Sequence, residues 1–110
     1  MTCIFCAIAA GDIPANLAYA SDDVIAFHDI DPKSPVHLVV IPRVHHANVA
    51  ALTEADAGLA ARVLEVAAQL GAANLGGFRI VMNTGPDGGQ TVDHVHAHVL
   101  AGRGFGWPPG

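Results

Sequence analysis

The sequence predicts an α+β fold: one antiparallel sheet of about five strands, one main helix on its apolar face and a short N-terminal helix. Three features of the 110-residue chain carry this expectation. Residues 94–100, His-Val-His-Ala-His-Val-Leu, alternate polar with apolar, which is the signature of a strand with one buried face. Residues 53–70 instead repeat apolar side chains at helical spacing. Leu59, Val63, Val66 and Leu70 share one face there, while Arg62, Glu65 and Gln69 occupy another. The remaining β-rich runs are short and separated by brief turns, which favours antiparallel neighbours over crossovers.

Taken in order, residues 4–10 have the composition of a short helix, ended by Gly11 with Pro14 beyond it. Residues 17–20 and 24–28 make two strands around Ser21-Asp22-Asp23, which is hairpin chemistry. Residues 29–35 form a loop, because Pro32 and Pro35 exclude regular pairing. Residues 36–41 are a β-rich run closed by Pro42. In the main helix Thr53 is placed to act as N-cap, Glu54 and Asp56 suit the first turn, and Gly71 follows as the C′ residue. Residues 77–83 make another strand and residues 84–90 a glycine-rich loop. A tail with Gly102, Gly104, Gly106, Trp107 and two prolines follows the histidine strand. Length and the absence of a linker fit one domain over residues 1–110.

Composition excludes several classes. Half of the residues are apolar (52%) and 14% are charged, so a compact core is feasible. A chain this short buries only about two-thirds of its unfolded surface, which leaves room for help from a metal or a partner subunit. Net charge is −5 and the five basic residues are scattered, unlike a nucleic-acid binder. The start Met-Thr-Cys-Ile-Phe-Cys lacks a positive n-region, and Gly11-Asp12 cuts the apolar run, so no signal peptide is read there. No run approaches a membrane span. Two cysteines three apart do not make a disulfide framework, and a cytoplasmic location is expected.

On a strand, His94, His96 and His98 stand about 7 Å apart on one face, with Val95, Ala97 and Val99 on the other. Histidine near pH 7 is both a nucleophile and the commonest metal ligand. A neutral imidazole can attack phosphorus and split one displacement into two easier steps. The middle histidine of a row is the best flanked. The glycine-rich loop before this strand lets backbone N–H groups turn toward an anion, although such loops are mostly plain turns. Cys3-x-x-Cys6 has metal-ligand spacing, but two ligands do not close a site, and two reduced buried thiols are the bland alternative.

The pattern His-apolar-His-apolar-His-apolar-apolar resembles the defining motif of the histidine triad family. Cys3-Ile4-Phe5-Cys6, Ala26-Phe27-His28-Asp29-Ile30, Val40-Ile41-Pro42-Arg43-Val44-His45, Asn83, Gly88-Gly89-Gln90-Thr91-Val92 and the terminal Trp107-Pro108-Pro109-Gly110 follow that family's order. The match is closest to its Hint-like nucleoside phosphoramidase branch. The resemblance implies the histidine triad fold. It makes His96 the nucleophile, His98 a hydrogen-bond partner of phosphate oxygens, and His94 the residue whose carbonyl holds the His96 ring. It places Asn83, Gly89, Gln90 and Thr91 at the phosphate, with threonine where the branch usually has serine. Asp29 would accept from the ribose hydroxyls, and Phe5, Ile8, Phe27, His28 and Ile30 would line the base. Cys3, Cys6, His45 and His94 would hold a structural zinc, with His46 a rival for His45. His37 has no assigned task.

The resemblance further implies a homodimer, with the tail near the partner's active site, and an AMP-like purine nucleotide as ligand. The expected activity is hydrolysis of purine nucleoside phosphoramidates or related adenylates through a nucleotidyl-histidine. The alternatives are a dinucleoside polyphosphate hydrolase, which the short ending disfavours, and a nucleotide-binding regulatory module, which the intact triad disfavours.

Overall fold

The computed structural model describes residues 3–110; Met1 and Thr2, which open the segment read above for a signal peptide, lie outside the described residues. The elements run α1 (Ile4–Ala9), β1 (Leu17–Ala20), β2 (Val24–His28), β3 (Val36–Pro42), α2 (Val49–Ala55), α3 (Ala57–Ala72), β4 (Phe78–Val81), α4 (Gly85–Gly88) and β5 (Ala97–Ala101). The five strands form one antiparallel sheet in the order β1-β2-β3-β5-β4.

The continuous apolar runs of β2 and β3 have a direct cause, because both faces of the sheet are covered. Val24, Ala26, Leu38, Val40, Ala97 and Val99 pack with Val63 and Val66 of α3. Ile25, Phe27, Val39 and Ile41 point the other way and pack with Phe5 and Ile8 of α1. The short N-terminal helix is therefore a second covering layer, and it lies over the face that carries His98, which stands opposite Val39 in the register. Arg43 fastens this layer, donating from Nη1 to the Ala9 carbonyl (2.6 Å) and from Nε to the Ser21 carbonyl (2.7 Å). On the opposite face Arg62 of α3 clamps Asp23 through two hydrogen bonds of 3.0 and 3.2 Å and reaches the Tyr19 hydroxyl. Among the described residues no helix is long and apolar enough to cross a membrane.

Three expectations need correction. The main helix is two helices, because Asp56 adopts an extended conformation (φ −157°, ψ 84°) and caps α3 by accepting from the Leu59 N–H at 3.0 Å. Asn48 caps α2 by accepting from the Ala51 N–H at 2.9 Å. Thr53 caps nothing; it lies inside α2 and donates its hydroxyl back to the Ala50 carbonyl. Gly71 is a buried residue within α3 and not its C′ residue. A Cβ there would come within 2.2 Å of the Phe78 ring, so the glycine serves a close approach to β4. Finally, β5 begins at Ala97, three residues later than the alternation implies. The Val95 N–H goes to the His46 carbonyl (2.7 Å), which takes His94 and Val95 out of the ladder.

An N-cap removed to alanine costs about 1 kcal/mol. Asn48→Ala and Asp56→Ala should each lower the urea-unfolding free energy by about that amount, whereas Thr53→Ala should change it by less than about 0.5 kcal/mol.

Candidate active site and metal cluster

The bend before β5 sets the geometry of the histidines. His94 and His96 are almost entirely buried (0% and 5% exposed), so the expected solvent-facing row is in fact roofed by α1. Phe5 stands edge-on to both rings, with centroids 6.0 Å from His94 and 5.1 Å from His96, and it also meets Phe27 at 5.5 Å. His96 Nδ1 lies 2.8 Å from the His94 carbonyl oxygen. A carbonyl can only accept, so Nδ1 carries the proton and Nε2 keeps its lone pair. The rings of His96 and His98 follow one another at 4.9 Å.

Two cavities lie beside this cluster: Phe5 lines one and His98 the other, while His94 and His96 line neither. The smaller, of about 230 Å³, is lined by Phe5, Ile8, Phe27, His28, Asp29 and Ile30, among others, with Ile30 fully exposed at its rim. The larger, of about 490 Å³, is lined by Asn83, Gly89, Thr91 and His98, together with His37, Asp31 and Lys33. Asp29 belongs to both walls. The structure thus brings the expected base-lining residues into one hollow and most of the expected phosphate-lining residues into another. Gln90 is the exception. Its amide donates to the carbonyls of Ala47 (2.7 Å) and Val92 (3.0 Å) and its oxygen accepts from the Gly85 N–H, so it braces the loop. The N–H groups of Gly89 and Gln90 are likewise spent inside the loop, on the Pro86 and Gly85 carbonyls.

His37 is the residue that sequence reasoning left without a task. It is buried, and its Nε2 lies 2.8 Å from His98 Nδ1 and 3.4 Å from Asp29 Oδ2. The only signal for it in the chain is parity: His37, Val39 and Ile41 share a face of β3, and the β3–β5 register is needed to see that His98 shares it too. Asp29, His37 and His98 bring donor atoms within 4.8 Å of one another, atoms already engaged with each other.

Cys3, Cys6, His45 and His94 also place their donor atoms within 4.8 Å of one another. Zinc bonds of about 2.3 Å to sulfur and about 2.0 Å to nitrogen imply tetrahedral edges of about 3.5 Å for S···N and about 3.3 Å for N···N. The separations here are 3.4 Å for Cys3 Sγ–His94 Nδ1, 3.4 Å for Cys6 Sγ–His45 Nδ1, 3.5 Å for Cys6 Sγ–His94 Nδ1 and 3.2 Å for the two nitrogens. His94 Nε2 donates to the Pro42 carbonyl at 2.9 Å, which leaves Nδ1 unprotonated toward the cluster, as a metal ligand requires. The donor set fits zinc. Four protein ligands leave no open position, so bound metal would hold α1 to the rest of the molecule and would not touch substrate.

A family model described as the HIT domain matches residues 10–105. The chain belongs to the HIT family. Among HIT proteins it is 41% identical to the Adenylylsulfatase HINT1 of Arabidopsis thaliana, over 97% of this chain and 76% of that one. It is 41% identical to a 14 kDa zinc-binding protein of Brassica juncea, over 97% and 98% of the two chains. Its five-stranded sheet and helices superpose on a HIT family hydrolase from Legionella pneumophila Philadelphia 1 with a TM-score of 0.94 and 41% identity, covering 99% of this chain and 100% of that one.

Two imidazoles that line the larger cavity, buried His37 and half-buried His98, are pushed below their ordinary range. Burial is the main cause for both; nearby His96 and His37 add to it for His98, which falls to about 4. Such rings take up protons on unfolding. Their stabilising contribution is complete above about pH 6.5, the unfolded value, and is lost as pH falls toward 4. The melting temperature should therefore decline steadily across that window in a thermal-unfolding series. Metal analysis of untagged protein should give about one zinc per chain, and chelation should lower the melting temperature more than the initial rate.

Proposed function

We propose that this HIT protein is a hydrolase of purine nucleoside phosphoramidates and related adenylates, acting through a nucleotidyl intermediate on His96. The observation that carries the reading is the 2.8 Å hydrogen bond from His96 Nδ1 to the His94 carbonyl, which leaves the Nε2 lone pair free on a ring packed between Phe5, which lines the smaller cavity, and His98, which lines the larger. The base fits the apolar hollow of Phe5, Ile8, Phe27, His28 and Ile30, and the ribose hydroxyls meet Asp29 where the two cavities join. The phosphate then lies by Asn83, Gly89, Thr91 and His98. Gln90 contributes by holding the loop in shape.

In the first step His96 Nε2 attacks phosphorus and the phosphorus–nitrogen bond breaks. The amine leaves with a proton passed through the Thr91 hydroxyl. In the second step water attacks phosphorus, the bond to Nε2 breaks, the proton released by the water returns through the Thr91 hydroxyl to replace the one given to the amine, and the nucleoside monophosphate leaves. The 110 residues form a single cytoplasmic HIT domain, with a structural zinc on Cys3, Cys6, His45 and His94 and no catalytic role for the metal.

The unit that works is a homodimer. Strand β4 is a sheet edge, where Phe78 is exposed, and Leu64 of α3 and Leu75 beyond it are exposed as well. Such an edge is a template for a second chain. Trp107, 84% exposed, then reaches toward the partner's larger cavity. Sedimentation at micromolar concentration should give twice the chain mass. Truncation after Gly106 should re-rank phosphoramidates by leaving group while leaving AMP affinity nearly unchanged. A monomer of full activity contradicts the dimer.

Turnover should be compared on adenosine phosphoramidate, a diadenosine polyphosphate and adenylyl sulfate, the last prompted by the name of the Arabidopsis relative. The reading expects the phosphoramidate to be favoured over the polyphosphate. His96→Asn should lose kcat by about 10⁴-fold or more yet still bind AMP, since a chemical step is removed and ground-state contacts remain. Quenched wild-type protein should carry a nucleotidyl adduct on His96. An adduct on another histidine would overturn the assignment.

A further inference from the structure

Three polar groups meet the His37 ring, and two of them have a fixed character, the Lys33 N–H and the Asp29 carboxylate. The backbone N–H of Lys33 points at Nδ1 from 3.0 Å. An N–H only donates, so Nδ1 accepts and bears no proton. On the other side of the ring, Nε2 faces Asp29 Oδ2 at 3.4 Å and His98 Nδ1 at 2.8 Å. A carboxylate accepts, so the single proton of neutral His37 sits on Nε2; its hydrogen bond goes to His98 Nδ1, with the Asp29 carboxylate beside it. His98 follows from this. Its Nδ1 receives that proton's hydrogen bond, so its own proton is on Nε2, which has no hydrogen-bond partner among the described residues. The arrangement is held from outside as well: Arg103 Nη2 donates to the Lys33 carbonyl at 3.0 Å and tethers this residue through its following peptide.

We propose that His37 is a positioning residue which, oriented by the Lys33 N–H, fixes His98 in its Nε2–H form and so makes it an obligate donor to the phosphoryl group. The two adjacent histidines are then opposite tautomers. His96 bears its proton on Nδ1 and offers a lone pair from Nε2, while His98 offers a proton from Nε2 and cannot compete as a second nucleophile. Charging His98 would set an Nδ1–H against the Nε2–H of His37, 2.8 Å away, a clash between two donors. The low proton affinity of both rings agrees with this. The consequence for turnover rests on the reading of His96 as nucleophile; the tautomer itself does not.

The test joins a spectroscopic readout to kinetics. Long-range proton–nitrogen correlation of protein labelled with ¹⁵N-histidine distinguishes the two tautomers directly. Wild-type His98 should be the Nε2–H form. In His37→Leu the ring should lose that preference, and kcat for adenosine phosphoramidate should fall by about 10²-fold or more, with KM changed by no more than about threefold. In His37→Gln the amide can donate to His98 while its oxygen accepts from Lys33, so the Nε2–H form and most of the lost kcat should return. Wild-type His98 found as the Nδ1–H form overturns the proposal, whether or not any variant folds. Equal loss in both variants with an unchanged His98 tautomer also overturns it, because packing alone would then explain the effect. If wild-type protein cleaves no adenylate, the functional reading fails, and the labelled spectra still decide the role of His37.

Discussion

The departure of the chain from the sheet at Val95 is the constraint on which the site depends. Had the ladder continued back to His94, its carbonyl would have been committed to a neighbouring strand. Instead the Val95 N–H is taken by His46, and the His94 carbonyl is left to accept from the His96 ring. The same turn buries the His94 side chain between the Pro42 carbonyl and the two cysteines. One residue therefore ties the Cys/His cluster to the His96 ring, through its side chain on one side and its backbone on the other. Phe5, lying between Cys3 and Cys6 in sequence, closes the link by resting on both histidine rings.

Main-chain groups hold all three tautomers in this site. A carbonyl decides His94, another decides His96, and a loop N–H decides His98 through His37. Backbone atoms are well suited to this because they cannot change their donor or acceptor character with pH, as a neighbouring side chain could. They are also anchored by the fold. Pro42 ends a strand paired to Val24, and Lys33 sits in a loop held by Arg103.

Much of the architecture was legible in the chain. The β1–β2 hairpin appears where Ser21-Asp22-Asp23 placed it, and β3 where its apolar run lies, because both depend on neighbours in sequence. The break at Asp56 was hidden because α2 and α3 share one alanine-rich composition, and Thr53 and Asp56 are both competent caps; tertiary packing chose the second. Gly71 looked like a terminator since nothing local reveals Phe78 lying against it. Histidine alternation singled out the stretch of residues 94–98, but burial of His94 and His96 required knowing that α1 returns over that face. His37 was invisible for the same reason, its meaning lying in a residue 61 positions away.

Asp29 stands in the wall of both cavities, with one oxygen accepting from the Asp31 N–H at 2.8 Å and the other turned toward His37. Two hollows of different polarity that share one carboxylate have the layout of a bivalent receptor for the proposed nucleotide. A ligand that fills one hollow presents its other half to the second at about millimolar effective concentration, provided its connecting atoms span the seam. Fragments too weak to be retained singly gain strongly when linked across that carboxylate. A ligand confined to one hollow gains nothing from the other, which gives the site a preference for length over any one chemical group.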